Sequence, residues 1–197
     1  MKISAQAISR AAYAVSTEKT RYYLCGVHVE ALPEGGVVAV ATDGHILIAA
    51  RDPEGDATGT EPGNVLHLDP GLLKALRVPR GIDKRVLTMD ASGELRVMHG
   101  DAVEYIQPGD ARIDGATFPD WRRVLPKERP TRAGDGAAFD ARLLATLGKA
   151  LNDGTKSQAL KLTGDDDAAP HWAVGSCADA VGICMPLRHD DTVPVWL

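Results

Sequence analysis

Apolar residues in this 197-residue chain recur in two rhythms. Residues 37–50, VVAVATDGHILIAA, are two apolar runs interrupted by Thr42, Asp43, Gly44 and His45. Short apolar runs bounded by turn residues read as buried strands, and Asp-Gly between them is a strong hairpin signal. The pattern predicts that residues 37–42 pair with 45–50 through a type I′ turn, with Asp43 and Gly44 both at positive φ.

Three times the spacing switches to a helical period. ISAQAISRA from Ile3, LDPGLLKAL from Leu68 and FDARLLATL from Phe139 share one layout. An apolar residue ends a short strand, Ser4, Asp69 or Asp140 follows as N-cap, and apolar positions then recur at helical spacing. Pro70 takes a first helical position, where its missing N–H costs nothing. Runs with strand character follow each start: YYLCGVHVEAL and VVAVATDGHILIAAR, then RVLTMD, ELRVMHG and AVEYIQP, then QALKLTG, HWAVGSC and AVGICMPL. The repeated unit is β-α-β-β-β, which predicts an α+β fold with helices on one face of antiparallel sheets. Gly, Pro and charge collect at 52–63, read as a loop within a domain, and at 126–136, read as a linker.

A net charge of −5 argues against a surface coated in phosphate-binding groups, yet it leaves room for a local basic face. Cys25, Cys177 and Cys184 show neither a disulfide framework nor metal-ligand spacing, which fits a reducing cytoplasm. No run approaches the ~20 apolar residues that span a bilayer, and the N-terminus lacks a signal-peptide core, so a soluble intracellular protein is expected.

Candidate chemistry is sparse. TDGH reads as a turn with a polar tip, because no second His, Ser or Cys stands at nucleophile-and-base spacing. Asp165, Asp166 and Asp167 with His171 invite a metal-dependent hydrolase, but GDDD between strand-like runs reads more simply as a charged hairpin tip. No phosphate-loop, zinc-protease or nucleophile-elbow motif occurs, and no enzyme, metal or cofactor is expected.

Four motifs in order, TRYYLCGVHVE (20–30), VVAVATDGHILIAA (37–50), FPDWRRVLP (118–126) and ICMPLR (183–188), resemble the bacterial DNA polymerase III beta subunit, the sliding clamp. The likeness is to that family's middle domain over 1–118 and to the closing segment of its last domain over 119–197. It implies the DNA clamp fold, with 1–118 a complete clamp-like domain and 119–197 a partial one plus a short tail. Carried over by position, the family's peptide pocket would comprise Leu24, Thr42, Gly44, His45, Leu47, Pro119, Arg123, Val124, Ile183, Cys184, Met185, Pro186, Leu187 and Arg188. The resemblance further implies duplex DNA tracked without base readout. The basic residues available for it are Arg10, Lys19, Arg21, Lys74, Arg77, Arg80, Lys84, Arg85, Arg142 and Lys149, with Asp83 alone opposing the middle group.

The expected role is a non-catalytic processivity factor for DNA replication or repair. It would bind a peptide motif of a polymerase or other partner as a homo-oligomer; four chains of three units would supply the family's twelve-unit ring. A mobile-element decoy that captures clamp partners without loading on DNA is the alternative. Two departures stand out. Ile46 replaces a usual basic residue, which should weaken contact with a polar peptide group. HDDTVPVWL extends past MPLR, to pack on a sheet or to fill the pocket itself.

Overall fold

A computed structural model describes residues 1–58, 64–77, 84–125, 137–154, 159–164 and 168–187. Three α-helices begin at the three expected caps: α1 (Ala5–Ala11), α2 (Pro70–Ala75) and α3 (Ala141–Leu151). The Ser4 hydroxyl accepts from Ala7 N at 3.3 Å, Asp69 from Leu72 N at 2.6 Å and Asp140 from Arg142 N at 2.8 Å. Each bond satisfies one of the orphan N–H groups of a helix start.

Eleven strands form two antiparallel sheets among the described residues. They are β1 (Lys2–Ser4), β2 (Val27–Ala31), β3 (Val37–Thr42), β4 (Ile46–Asp52), β5 (Val65–Leu66), β6 (Arg85–Met89), β7 (Leu95–His99), β8 (Ala102–Gln107), β9 (Lys161–Thr163), β10 (His171–Val174) and β11 (Ala180–Cys184). One sheet runs β1-β6-β7-β8 and the other β5-β2-β3-β4-β11-β10-β9. The first two units exchange lead strands. β1 pairs with β6, setting Ile3 against Leu87, while β5 pairs with β2, setting Val27 against Leu66. The third unit joins through β11 on β4.

Strand alternation divides the apolar residues between two faces. The main core lies between sheets and helices, where Ile3, Ile8, Ile48, Leu72, Leu87 and Leu147 are fully buried. Each such side chain contributes about 2 kcal/mol. A second cluster of Leu24, Val38, Val40, Leu47, Ala49, Val65, Phe118 and Ile183 occupies the outer face of the seven-stranded sheet.

Two local expectations are corrected. YYLCGVHVEAL is extended only from Val27. Lys19–Leu24 is a 3₁₀ turn that directs Leu24 into the outer cluster. Thr42 pairs with Leu47 rather than His45, so 37–42 pairs with 47–52 and the paired positions enclose four residues, 43–46. No residue other than glycine has positive φ among those described, and Gly44 alone turns the corner at +93°. The Asp43 carboxylate replaces the second positive-φ residue by accepting from His45 N at 2.8 Å and Ile46 N at 2.9 Å. The result is a four-residue loop with glycine at positive φ.

Candidate functional site

Three segments distant in sequence meet at one end of the seven-stranded sheet. The hairpin tip is braced by Thr42, whose hydroxyl donates to Ile46 O at 2.7 Å and accepts from Gly44 N at 3.1 Å. β11 lies beside β4 with Ile183 opposite Leu47 and Cys184 opposite Ile46, and Met185 N donates to His45 O at 2.9 Å. Residues 118–125 then cross the outer face. Phe118 stacks on His28 with ring centroids 5.1 Å apart, and a 3₁₀ turn at Trp121–Val124 follows.

Leu24, Leu47 and Ile183 are thereby brought together, buried in one cluster with Phe118 and flanked by half-buried Trp121 and Leu125. Thr42, Gly44 and His45 stand at the rim beside half-buried Met185 and Pro186. Pro119 and Arg123 are exposed, and Val124 and Leu187 keep 46% and 47% of their surface in water, unusual for apolar side chains. Cys184 differs from its expected place: the pleat turns it to the helix side, into the main core. Arg188 and the tail 189–197 lie outside the described residues, as do Arg80, Asp83 and Asp165–Asp167. Ile46 is likewise in the helix-side core at 2% exposure, so it faces away from the outer cluster. The expected loss of a polar contact there has no geometric basis.

Glu30 of β2, which the sequence pattern did not single out, meets the 118–125 segment from the sheet. Glu30 Oε1 accepts from Trp121 Nε1 at 3.2 Å and pairs with Arg122 at 2.5 Å, and Oε2 meets His28 Nε2 at 3.2 Å. Burial pushes the Glu30 carboxyl up, but hydrogen bonds from His28 and Arg122 more than offset it, leaving it below its ordinary value. The available signal was alternation: His28 and Glu30 are two apart, so two polar groups share a strand face that is otherwise apolar. Further along that face, Val38, Ala49, Trp121, Leu125, Trp172 and Val181 line a groove of about 580 Å³.

The basic residues sort differently from expectation. Arg10 is only 7% exposed; it donates to the carbonyls of Ala150 and Asn152 and pairs with Asp153 at 2.6 Å, so it fastens α1 to the end of α3 and cannot meet a phosphate. Arg85 is half-buried and paired with Glu104 at 2.6 Å, an acidic partner absent from the sequence reading of that group. Arg21 pairs with Glu18 at 3.3 Å and Arg142 with Asp140 at 2.6 Å. Lys19, Lys74, Arg77, Lys84 and Lys149 are exposed.

Among the described residues, Cys184 and His171, groups with nucleophile or base chemistry, are both held in the fold. Burial, with Asp43 and Asp140 nearby, pushes the Cys184 thiol up to about 11, far from the thiolate a nucleophile requires. His171 is buried against Phe139 with its Nδ1 toward Ala169 O. Among the described residues no three His, Cys, Asp or Glu side chains gather to hold a metal, and no helix is long and apolar enough to cross a membrane.

Two β-α-β-β-β units with exchanged lead strands, a third unit seen as a helix and three strands, helices on one face of the seven-stranded sheet and an apolar cluster on the other make up a DNA clamp fold. In sequence the chain is similar to the bacterial beta sliding clamps. It is 35% identical over 124 residues to the beta sliding clamp of Caulobacter vibrioides, covering 61% of this chain and 32% of that one. With the beta sliding clamp of Escherichia coli K12 it shares 31% over 115 residues, 58% of this chain and 29% of the other. It thus spans about a third of the length of these curated relatives. The fold is shared with the DnaN sliding clamp of Bartonella birtlesii bound to griselimycin (TM-score 0.68, 20% identity, 95% of this chain and 66% of that one). It is also shared with the Caulobacter crescentus clamp (TM-score 0.64, 22% identity, 96% and 65%). No family model matches the chain.

Proposed function

We propose that this chain is a non-catalytic, clamp-like accessory protein of DNA replication or repair, acting in the cytoplasm, that seats a linear peptide motif of a polymerase or another partner. The observation that carries this reading is the convergence of residues 42–47, 118–125 and 183–187 on one apolar cleft. The apolar cluster of Leu24, Leu47, Phe118 and Ile183, with exposed Val124 and Leu187 on the converging segments, suits a partner's Leu or Phe, and exposed Arg123 and His45 suit its polar groups. On this reading residues 1–118 act as one clamp-like domain and the remainder as part of a second.

Fluorescence anisotropy with a labelled peptide ending in Leu-Phe tests it. Micromolar binding, weakened about tenfold or more by Val124→Asp, supports the cleft. No binding to the wild-type chain removes it.

Assembly around duplex DNA belongs to the same proposal. Among the described residues, β1 is flanked by a bridge to Asp56 and β5 by one to Arg112, whereas the outer edges of β8 and β9 have no paired strand. Joining these two edges between copies would continue the sheets head to tail. A decoy that holds the peptide without DNA is the second reading, favoured by the internal use of Arg10 and Arg85. Retention on circular but not linearised plasmid selects the ring, and equal loss from both selects the decoy.

A further inference from the structure

The exposed rim side chains Arg123 and Val124 sit on a segment with little regular structure of its own: one 3₁₀ turn of four residues, with none of its side chains fully buried. Such a turn does not hold its position unaided. It is attached through Phe118 on the His28 ring, through Trp121 and Leu125 packed on the outer apolar cluster, and through the two donors that converge on Glu30, Trp121 Nε1 and the Arg122 guanidinium. Arg122 also lies over the Trp121 ring at 4.4 Å, so the two donors are packed against each other as they reach the carboxylate. On the sheet side, Glu30 is held by His28 Nε2, while His28 Nδ1 is occupied by Asn64 O at 2.8 Å. Val38 of β3 stands opposite Glu30 and supplies no competing charge.

We propose that Glu30 is the positioning residue that latches residues 118–125 across the sheet and so sets the cleft wall carrying Arg123 and Val124. Glu30 touches no peptide; it acts through Trp121 and Arg122, which immediately precede the rim residues. A charge-assisted bond to a partly buried carboxylate is stronger than a neutral one, and two donors on one oxygen fix the direction of the segment as well as its distance. The inference rests on the peptide reading of the cleft for its functional half and on geometry alone for the latch.

Hydrogen exchange on the full chain, together with the Leu-Phe peptide titration, tests both halves in wild type, Glu30→Leu and Glu30→Gln. In Glu30→Leu, which keeps bulk and loses the acceptor, amides of 121–125 should exchange about tenfold faster while those of β3, β4 and β11 stay unchanged, since the opening is local. The peptide dissociation constant should rise about tenfold with it. Glu30→Gln retains an acceptor for Trp121 and Arg122 and should stay within about threefold of wild type in both measurements.

Unchanged exchange at 121–125 in Glu30→Leu overturns the latch whatever the peptide does. Faster exchange with unaltered peptide affinity overturns the positioning role. Loss of protection throughout β3, β4 and β11 would mark Glu30 as an ordinary stabilising residue and overturn it equally. If the wild-type chain fails to bind peptide, the cleft reading falls and with it the positioning role, while the exchange comparison still decides the latch.

Discussion

At the scale of single residues, the hairpin tip shows how one backbone angle governs a site. Gly44 has φ of +93°, and a β-carbon there would stand 2.8 Å from the Arg21 guanidinium. Gly44→Ala should therefore cost about 1–3 kcal/mol, read as a lower urea midpoint at unchanged slope. Asp140 offers a titration. Hydrogen bonds from the Arg142 side chain and then its backbone N–H hold this carboxyl down to about 2, from an ordinary 3.8. A depressed folded pKa means that the ionised cap stabilises above pH 3.8, and that this contribution fades as pH falls from 3.8 toward 2. Carbon-detected NMR should place the Asp140 midpoint near 2, and Arg142→Ala should move it up. All three helix caps were legible in the sequence because a cap reaches only two or three residues along the chain.

Among elements, the informative contact is between α1 and α3. Arg10 belongs to α1 but spends its donors on the carbonyls of Ala150 and Asn152 at the end of α3 and on Asp153. Bonds from a cation to carbonyls at a helix C-terminus also oppose the negative end of its dipole. Arg10→Met should cost about 2 kcal/mol of stability. It should leave the salt dependence of any DNA retention unaltered, whereas Lys74→Ala should make that dependence shallower; retention measured at several salt concentrations checks both. From sequence, Arg10 looked like the other helix cations, because nothing local distinguishes a side chain that finds a partner 143 residues away from one that finds water. The β3–β4 hairpin was legible as a pair of strands, while its register was not. The Asp43 carboxylate bonds, which accompany the change from a two-residue to a four-residue loop, depend on a rotamer rather than on residue type.

For the whole molecule, the exchange of β1 and β5 between units ties residues 2–4 to 86–88 and 27–28 to 65–66. Neither unit can then keep its sheet intact without the other, which predicts a single cooperative unfolding transition for the segment 1–118. Amides of β1, β2, β5 and β6 losing exchange protection at one common urea midpoint in the full chain would show it. The seven-stranded sheet extends that coupling to the third unit through five paired positions between β4 and β11. One face of this sheet carries the helices and the other the outer apolar cluster, so the proposed peptide contact and any contact with duplex DNA would fall on opposite sides of the same strands.

Sequence by itself determined the unit: a capped helix with three strands after it, the continuous apolar runs of β3 and β4 being buried on both faces. These follow from hydrogen bonds and periodicities that act within a few residues. Tertiary structure alone decided which strands exchange, that Arg10 is spent inside the fold, that Ile46 and Cys184 turn away from the cleft, and that Glu30 receives Trp121 across 91 residues of chain. Those outcomes depend on where the sheets bring distant side chains together, and burial then makes each meeting energetically decisive.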